Sequence, residues 1–171
     1  MPVMPYQILL FCVIAALAYA AWSDLATRII PNQACIVIVA AGMTARAMAG
    51  AAPLAWSLLF SALLFCLLVA AHARGILGGG DVKLISATAI ALPPAGAFLF
   101  LTATAVAGGA LAAVHLLLRY LPPPAPMPAG APLLSRLCAI ERWRIRRHSP
   151  LPYGIAIASG GSWALLSTLG S

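Results

Sequence analysis

The scarcity of acidic side chains constrains this chain more than any other feature. Only three of its 171 residues are acidic, namely Asp24, Asp81 and Glu141, against ten Lys and Arg. Charged residues make up 8% of the sequence and hydrophobic residues 63%, whereas ordinary soluble domains carry about 25% charged residues. So few charges cannot cover a soluble fold, and disordered chains are poor in apolar residues. The composition predicts a membrane protein, and no nucleic-acid partner is expected.

Long apolar runs predict an all-α, polytopic membrane protein in which residues 1–171 form a single membrane-embedded domain. A helix needs about 20 apolar residues to cross a bilayer core. We expect about six transmembrane helices, the fourth of them short or partly re-entrant because it stops at Pro93-Pro94. The expected spans are residues 4–22, 32–48, 54–73, 82–92, 96–118 and 151–169.

The basic residues predict how these spans are oriented. If the first helix runs from outside to inside, only Arg46 falls outside and the other nine basic residues obey the positive-inside rule. Both termini are then expected outside. Ala18-Tyr19-Ala20 resembles a signal-peptide cleavage site, but residues 1–10 contain no Lys or Arg. A signal peptide needs a basic start, so we expect the first helix to be retained.

The cytoplasmic loop 120–149 has two parts. Residues 121–132 contain six prolines and should be extended. Residues 133–148 combine Leu, Ile and Trp with five arginines, which favours an amphipathic basic helix bound to anionic lipid headgroups. A solvated basic loop that only fixes the topology explains the same residues equally well.

Asp24 and Asp81 are the two acids that the membrane would otherwise exclude. Asp24 follows the first apolar run, Asp81 precedes the fourth, and the predicted topology brings both to the same cytoplasmic boundary. An acid at such a place suggests a functional site. Two adjacent carboxyl groups tend to share a proton and can activate water against a peptide carbonyl. The alternative is that both are interfacial caps, with Asp81 as a helix N-cap.

Helix position suggests different roles for the two acids. The positive end of a helix dipole should favour the charged form of Asp81, and the negative end should favour the neutral form of Asp24. On that basis Asp81 acts first as base and Asp24 as acid. Gly78-Gly79-Gly80 before Asp81 would let a substrate backbone approach closely.

Three motifs now carry a resemblance to a known family. The segment Asp24-Leu-Ala-Thr-Arg-Ile-Ile-Pro31-Asn32 resembles the first-aspartate motif of type IV prepilin peptidases. The segment Gly78-Gly79-Gly80-Asp81-Val82-Lys83 matches the G-x-G-D-x-K motif of the GxGD membrane aspartyl proteases. The segment Pro152-Tyr153-Gly154 resembles the start of the family's last helix. The likeness extends over nearly the whole chain in order and spacing.

The resemblance implies a multi-pass enzyme of the bacterial inner membrane that removes prepilin leader peptides at the cytoplasmic face. The family cuts after a glycine, just before the hydrophobic segment of the pilin, with the residues here numbered Asp24 and Asp81 as the catalytic pair. The same likeness implies that the residues around them shape the site or bind substrate, namely Pro31, Asn32, Gly78, Gly80, Lys83, Pro152, Tyr153 and Gly154. The local interpretation of Lys83 is a side chain that snorkels at a helix start.

The chain resembles the small form of the family found with tight-adherence (Flp-type) pili. Larger members also methylate the new pilin amino terminus and carry paired Cys-x-x-Cys between the first two helices. Cys12, Cys35, Cys66 and Cys138 form no such pair, so methyltransferase activity is not expected. No cofactor is expected, and the three histidines lack the ligand spacing of a metal site.

Two other functions remain open from the residues. A presenilin-like intramembrane GxGD protease should carry Pro-Ala-Leu where this chain has Pro152-Tyr153-Gly154. A proton-coupled transporter could use Asp24 and Asp81 as relay groups. Transporters place their binding sites near the midplane of the membrane, whereas these two acids are expected at one edge.

Overall fold

The computed structural model describes residues 3–120, 132 and 151–169, and these residues form helices and no strand. The prediction of an all-α fold is therefore confirmed. The helices are α1 (Val3–Thr27), α2 (Asn32–Met48), α3 (Ala51–Ala73), α4 (Gly79–Ile90), α5 (Pro94–Tyr120) and α6 (Tyr153–Leu169).

Three of these helices, α1, α3 and α5, are long and apolar enough to cross a membrane. The other three are shorter, with 17 residues in α2, 12 in α4 and 17 in α6. A multi-pass membrane protein is thus supported, while the count of six spans stays a prediction. The expected basic helix at 133–148 lies outside the described residues.

The helix ends differ from the expected spans where the acids lie. Helix α1 continues through Asp24 to Thr27, one turn beyond the expected end at residue 22. Helix α4 begins at Gly79, so Asp81 lies in its first turn. The N-cap of α4 is Gly78, which has no side chain that could cap the helix. The alternative of Asp81 as an N-cap is therefore wrong, because the helix starts before it.

The chain divides into two compact units. The first holds Met1–Ala107 and Pro152–Ser171, and the second is Gly108–Leu151. The described part of the second unit is mainly the C-terminal half of α5, which ends at Tyr120. All of the residues discussed as a candidate site belong to the first unit.

Helix α4 is the most buried helix of the first unit, and it packs against α2, α3 and α6. Val82 and residues 84–89 are all buried, while Lys83 is exposed. The segment Ser86-Ala-Thr-Ala89 is small enough for neighbouring backbones to approach closely. This burial explains how a helix of 12 residues is held among longer ones.

Hydroxyl groups of α3 fix the position of α4. Ser61 donates a hydrogen bond of 2.7 Å to the carbonyl of Ser86. Ser57 donates one of 2.8 Å to the carbonyl of Leu92, and it accepts one of 3.0 Å from Nε of Arg46. These bonds give the hydroxyl groups of α3 polar partners on the α4 side of an apolar interface. They also give a structural use to Arg46, the basic residue that the predicted topology places outside.

Gly42 allows α2 to lie directly against the end of α4. A Cβ at position 42 would lie 2.8 Å from Cβ and 2.9 Å from Cα of Ala91. Because one of these atoms belongs to the backbone, Gly42→Ala should push the helices apart and lower the free energy of unfolding by about 1–3 kcal/mol. Thermal unfolding in detergent measures this. Gly109→Ala is the control, since a Cβ there meets no atom of the described residues within 4 Å. Equal midpoints for the two variants would contradict the prediction.

Candidate active site

Asp24 is a buried carboxyl group in the last turns of α1, with 7% of its surface exposed. Its Oδ2 accepts a hydrogen bond of 2.8 Å from the backbone N–H of Gly154. The bond joins residues 130 positions apart in the chain, and it depends on the packing of α1 against α6. A proton carried by Asp24 would therefore have to lie on its other oxygen.

The start of α6 is shaped to receive this carboxyl group. Pro152 is fully buried just before the helix, and Gly154 lies in the first turn, where backbone N–H groups have no partner within the helix. The positive end of the helix dipole also favours a negative charge there. A Cβ at position 154 would lie 2.9 Å from both Cβ and Oδ2 of Asp24. Glycine is thus required at 154 because the aspartate occupies the space of a side chain.

Asp81 lies half-buried in the first turn of α4, directly after the segment Gly78-Gly79-Gly80. Its Oδ2 is 2.9 Å from the place where a Cβ of Gly78 would be. Asp81 lies one residue before the expected span 82–92, at the membrane boundary. Its pKa is raised to about 6, mainly by burial and then by the charge of Asp24, while a backbone hydrogen bond from Gly78 acts in the opposite direction. The two carboxyl groups are therefore near enough to repel each other.

The raised pKa of Asp81 is opposite in direction to the shift expected from its position at the start of a helix. The dipole at the start of α4 should have favoured a charged Asp81, but burial and the carboxylate of Asp24 outweigh it. These causes therefore bias Asp81 toward holding a proton. The sequence could not supply this, because neither the burial of Asp81 nor its separation from Asp24 can be derived from motif spacing.

The titration of Asp81 provides a prediction with a defined sign. We expect its carboxyl group to lose its proton as the pH rises through about 6. Asp24→Asn removes a charge that raises this pKa, so the midpoint should fall, yet stay above the ordinary value of 3.8 because burial remains. Infrared difference spectra of the carboxyl C=O band, assigned with Asp81→Asn, measure it. A midpoint that Asp24→Asn leaves unchanged would show that the two groups do not interact.

Four of the predicted residues, Pro31, Asn32, Gly80 and Lys83, line a cavity that reaches the chain neighbour of Asp81. Lys83 Nζ donates a hydrogen bond of 3.4 Å to Oδ1 of Asn32, which joins α4 to the start of α2. Ile30 packs on Gly80, where a Cβ would lie 3.3 Å from its side chain. The cavity has a volume of about 400 Å³ and is called here the loop cavity; it is lined by Arg28, Ile29, Ile30, Pro31, Asn32, Gly80 and Lys83.

His72 has a role that the sequence did not indicate. Its Nδ1 is 2.8 Å from the carbonyl oxygen of Leu77, and a Cβ on Gly79 would lie 3.4 Å from its ring. The imidazole therefore supports the segment that leads to Asp81. The spacing of the histidines bears on metal ligation and does not indicate this contact. A histidine at the end of α3, five residues before Leu77, was the available signal.

The structure brings the predicted site residues together in two groups. Asp24 and Gly154 are joined by a hydrogen bond, and Asp81 lies within electrostatic range of Asp24. Pro31, Asn32, Gly80 and Lys83 line the loop cavity. Gly80 connects the groups, because it is the neighbour of Asp81 in the chain. Tyr153 is half-buried at the start of α6, where it packs against the hydrophobic core.

Comparison with known proteins agrees with these motifs. The model of the type IV leader peptidase family matches residues 11–113, which contain both aspartates and the glycine segment. No curated protein and no solved structure gives a significant match. The matched region covers more than half of the sequence and confirms the resemblance stated from the motifs. The chain belongs to the type IV leader peptidase family.

Proposed function

We propose that this chain is a membrane aspartyl endopeptidase that cleaves the leader peptide of type IV, Flp-type prepilins. The cut would be made at the cytoplasmic face of the bacterial inner membrane. Family membership supports a leader peptidase and a prepilin substrate. The observation that carries the proposal is the pairing of the two acids, since Asp24 is held by Gly154 while its charge raises the pKa of Asp81.

The two carboxyl groups differ, because Asp24 accepts a hydrogen bond from Gly154 and the pKa of Asp81 is raised. This difference suggests which group is the general base and which is the general acid. Asp24 acts as the base and takes a proton from water, whose oxygen attacks the scissile carbonyl carbon. Asp81 acts as the acid and donates its proton to the carbonyl oxygen. When the tetrahedral intermediate collapses, the C–N bond breaks and the amine leaves with a proton returned by the pair. A bound apolar substrate would exclude more water from Asp81. This exclusion would raise the pKa of Asp81 further, as burial already does.

The loop cavity offers a place for the substrate backbone around the cut. Its wall includes Gly80, directly before Asp81. A residue without a side chain there leaves space for an extended peptide beside the carboxyl groups. The amide of Asn32 and the ammonium of Lys83 supply polar partners to backbone carbonyls that a membrane would otherwise leave unpaired.

Coexpression with a prepilin tests the proposal. In a host without a leader peptidase of its own, the chain should convert a Flp-type prepilin to a product shorter by its leader, seen as a mass shift. The product should carry an unmethylated amino terminus, since the chain lacks the Cys-x-x-Cys pairs. An unprocessed prepilin beside a correctly inserted chain would refute the proposed function.

A further inference from the structure

An open groove lies on the side of α4 that faces α2 and α3. It has a volume of about 620 Å³ and is called here the α2–α4 groove. Its walls are the face of α2 from Asn32 to Val39, the face of α4 from Lys83 to Ile90, and α3 residues between Leu58 and Phe65. Seven residues of helix measure about 10 Å, so the groove is long enough for about two helical turns.

The groove is continuous with the proposed site. Asn32 and Lys83 line both the groove and the loop cavity, and the loop cavity reaches Gly80 beside Asp81. Asp81 does not line the groove, because 200° of helical rotation separates it from Lys83 on α4. A substrate chain that occupies both spaces would therefore have the part near Asp81 in the loop cavity and the adjoining part in the α2–α4 groove.

A buried hydroxyl group in the groove has no hydrogen-bond partner in the described part of the chain. Ser86 lines the groove, it is 7% exposed, and its Oγ makes no hydrogen bond among the described residues. The hydroxyls of Thr88 on α4 and Thr44 on α2 each donate to the carbonyl one turn earlier, both at 2.8 Å. Buried polar groups normally have a partner. A helix that lies against this wall could accept a hydrogen bond from Ser86 through a backbone carbonyl, as the carbonyl of Ser86 accepts one from Ser61.

We infer that the α2–α4 groove binds the first two turns of the substrate's own apolar helix, directly after the cleaved bond. The inference rests on the proposed function. If the cut is made just before a hydrophobic segment, that segment must begin at the loop cavity. Within the membrane it must be helical, because its backbone has no other partners there. The groove offers it an apolar surface that begins where the extended part of the chain ends.

Natural cysteines make a direct test possible. Cys35 lines the α2–α4 groove, whereas Cys12 lines a separate cavity between α1 and α2. The test uses two variants that also carry Asp81→Asn, so that bound prepilin is not cleaved. One variant keeps only Cys35 and the other keeps only Cys12, and the remaining three cysteines of each are replaced by serine. The partner is a prepilin with one cysteine at successive positions of its apolar segment. Oxidation in membranes should link Cys35 to the first two turns, with helical periodicity, and should leave Cys12 unlinked.

The alternatives give different results. Links that are as frequent from Cys12 as from Cys35, or absent from Cys35, would overturn the inference. Links between Cys35 residues of two chains would assign the groove to a second copy. The cysteine variants must process prepilin when Asp81 is present. If the unmodified chain processes none, the proposed function fails first; if it processes normally but Cys35 is never linked, only the groove inference fails.

Blocking the groove provides the second measurement. Ala62 is exposed on the α3 wall of the groove, and Ala62→Trp should lower the processing of full-length prepilin about tenfold or more through a higher KM. Ala15→Trp places the same bulk in the cavity that contains Cys12 and should leave processing within about twofold. Equal processing by both variants would overturn the inference, because bulk in the groove would then not hinder the substrate.

Discussion

Asp24→Asn and Asp81→Asn should each lower kcat/KM for prepilin cleavage by at least about 10³-fold. Asparagine keeps the size of the side chain but cannot exchange a proton, and general acid–base catalysis contributes about 10²–10⁴-fold. Asp24→Asn removes the proposed base that Gly154 holds in place. Asp81→Asn removes the proposed acid, the group whose pKa is raised to about 6.

Three controls make this result specific. Glu141→Gln changes the remaining acidic residue of the chain and should leave cleavage unchanged. The double variant should be little worse than either single variant, because the two acids act as a unit. Insertion and thermal unfolding of the variants should be similar to those of the unmodified chain. A cleavage rate in either asparagine variant within about tenfold of the original would remove that residue from the mechanism.

Gly154→Ala should reduce cleavage by about 100-fold or more, although the residue carries no functional side chain. A methyl group at 154 would lie 2.9 Å from Cβ and Oδ2 of Asp24, so the carboxyl group must move. A displacement of about 1 Å in a catalytic site can cost about 100-fold in rate. The loss should appear in kcat more than in KM, because Gly154 acts through the position of Asp24.

Comparison variants separate this effect from a general loss of packing. Gly109→Ala adds the same methyl group on α5, where no atom of the described part of the chain lies within 4 Å, and it should keep full activity. Combining Gly154→Ala with Asp24→Asn should add little to the loss caused by Asp24→Asn alone. Additive losses would mean that Gly154 serves packing rather than the placement of the carboxyl group.

The sequence predicted the parts of this molecule that depend on local pattern. Apolar runs predicted the helices, and Pro93-Pro94 predicted the end of the short one. The scarcity of acids identified Asp24 and Asp81, and their motifs indicated a family that the comparison confirms. These features could be predicted because solvent and backbone sterics act on each segment by itself.

Features that depend on tertiary packing could not be predicted. The bond from Gly154 to Asp24 crosses 130 residues, so no local pattern reveals it. The helix dipole gave the wrong direction for Asp81, because burial and a neighbouring charge from another helix outweighed it. The close approach of the His72 ring to Gly79 likewise depends on how α3 packs against α4. The amphipathic helix at 133–148 and the sidedness of the termini stay predictions.

The most direct test of the central claim is the mass of the products formed by purified protein. The chain, reconstituted in lipid with a purified Flp-type prepilin and a metal chelator, should release one leader peptide and one shortened pilin from a single cut. The same sample with Asp24→Asn or Asp81→Asn should contain only the intact prepilin. Cleavage that persists in both asparagine variants would contradict an aspartyl peptidase built on this pair.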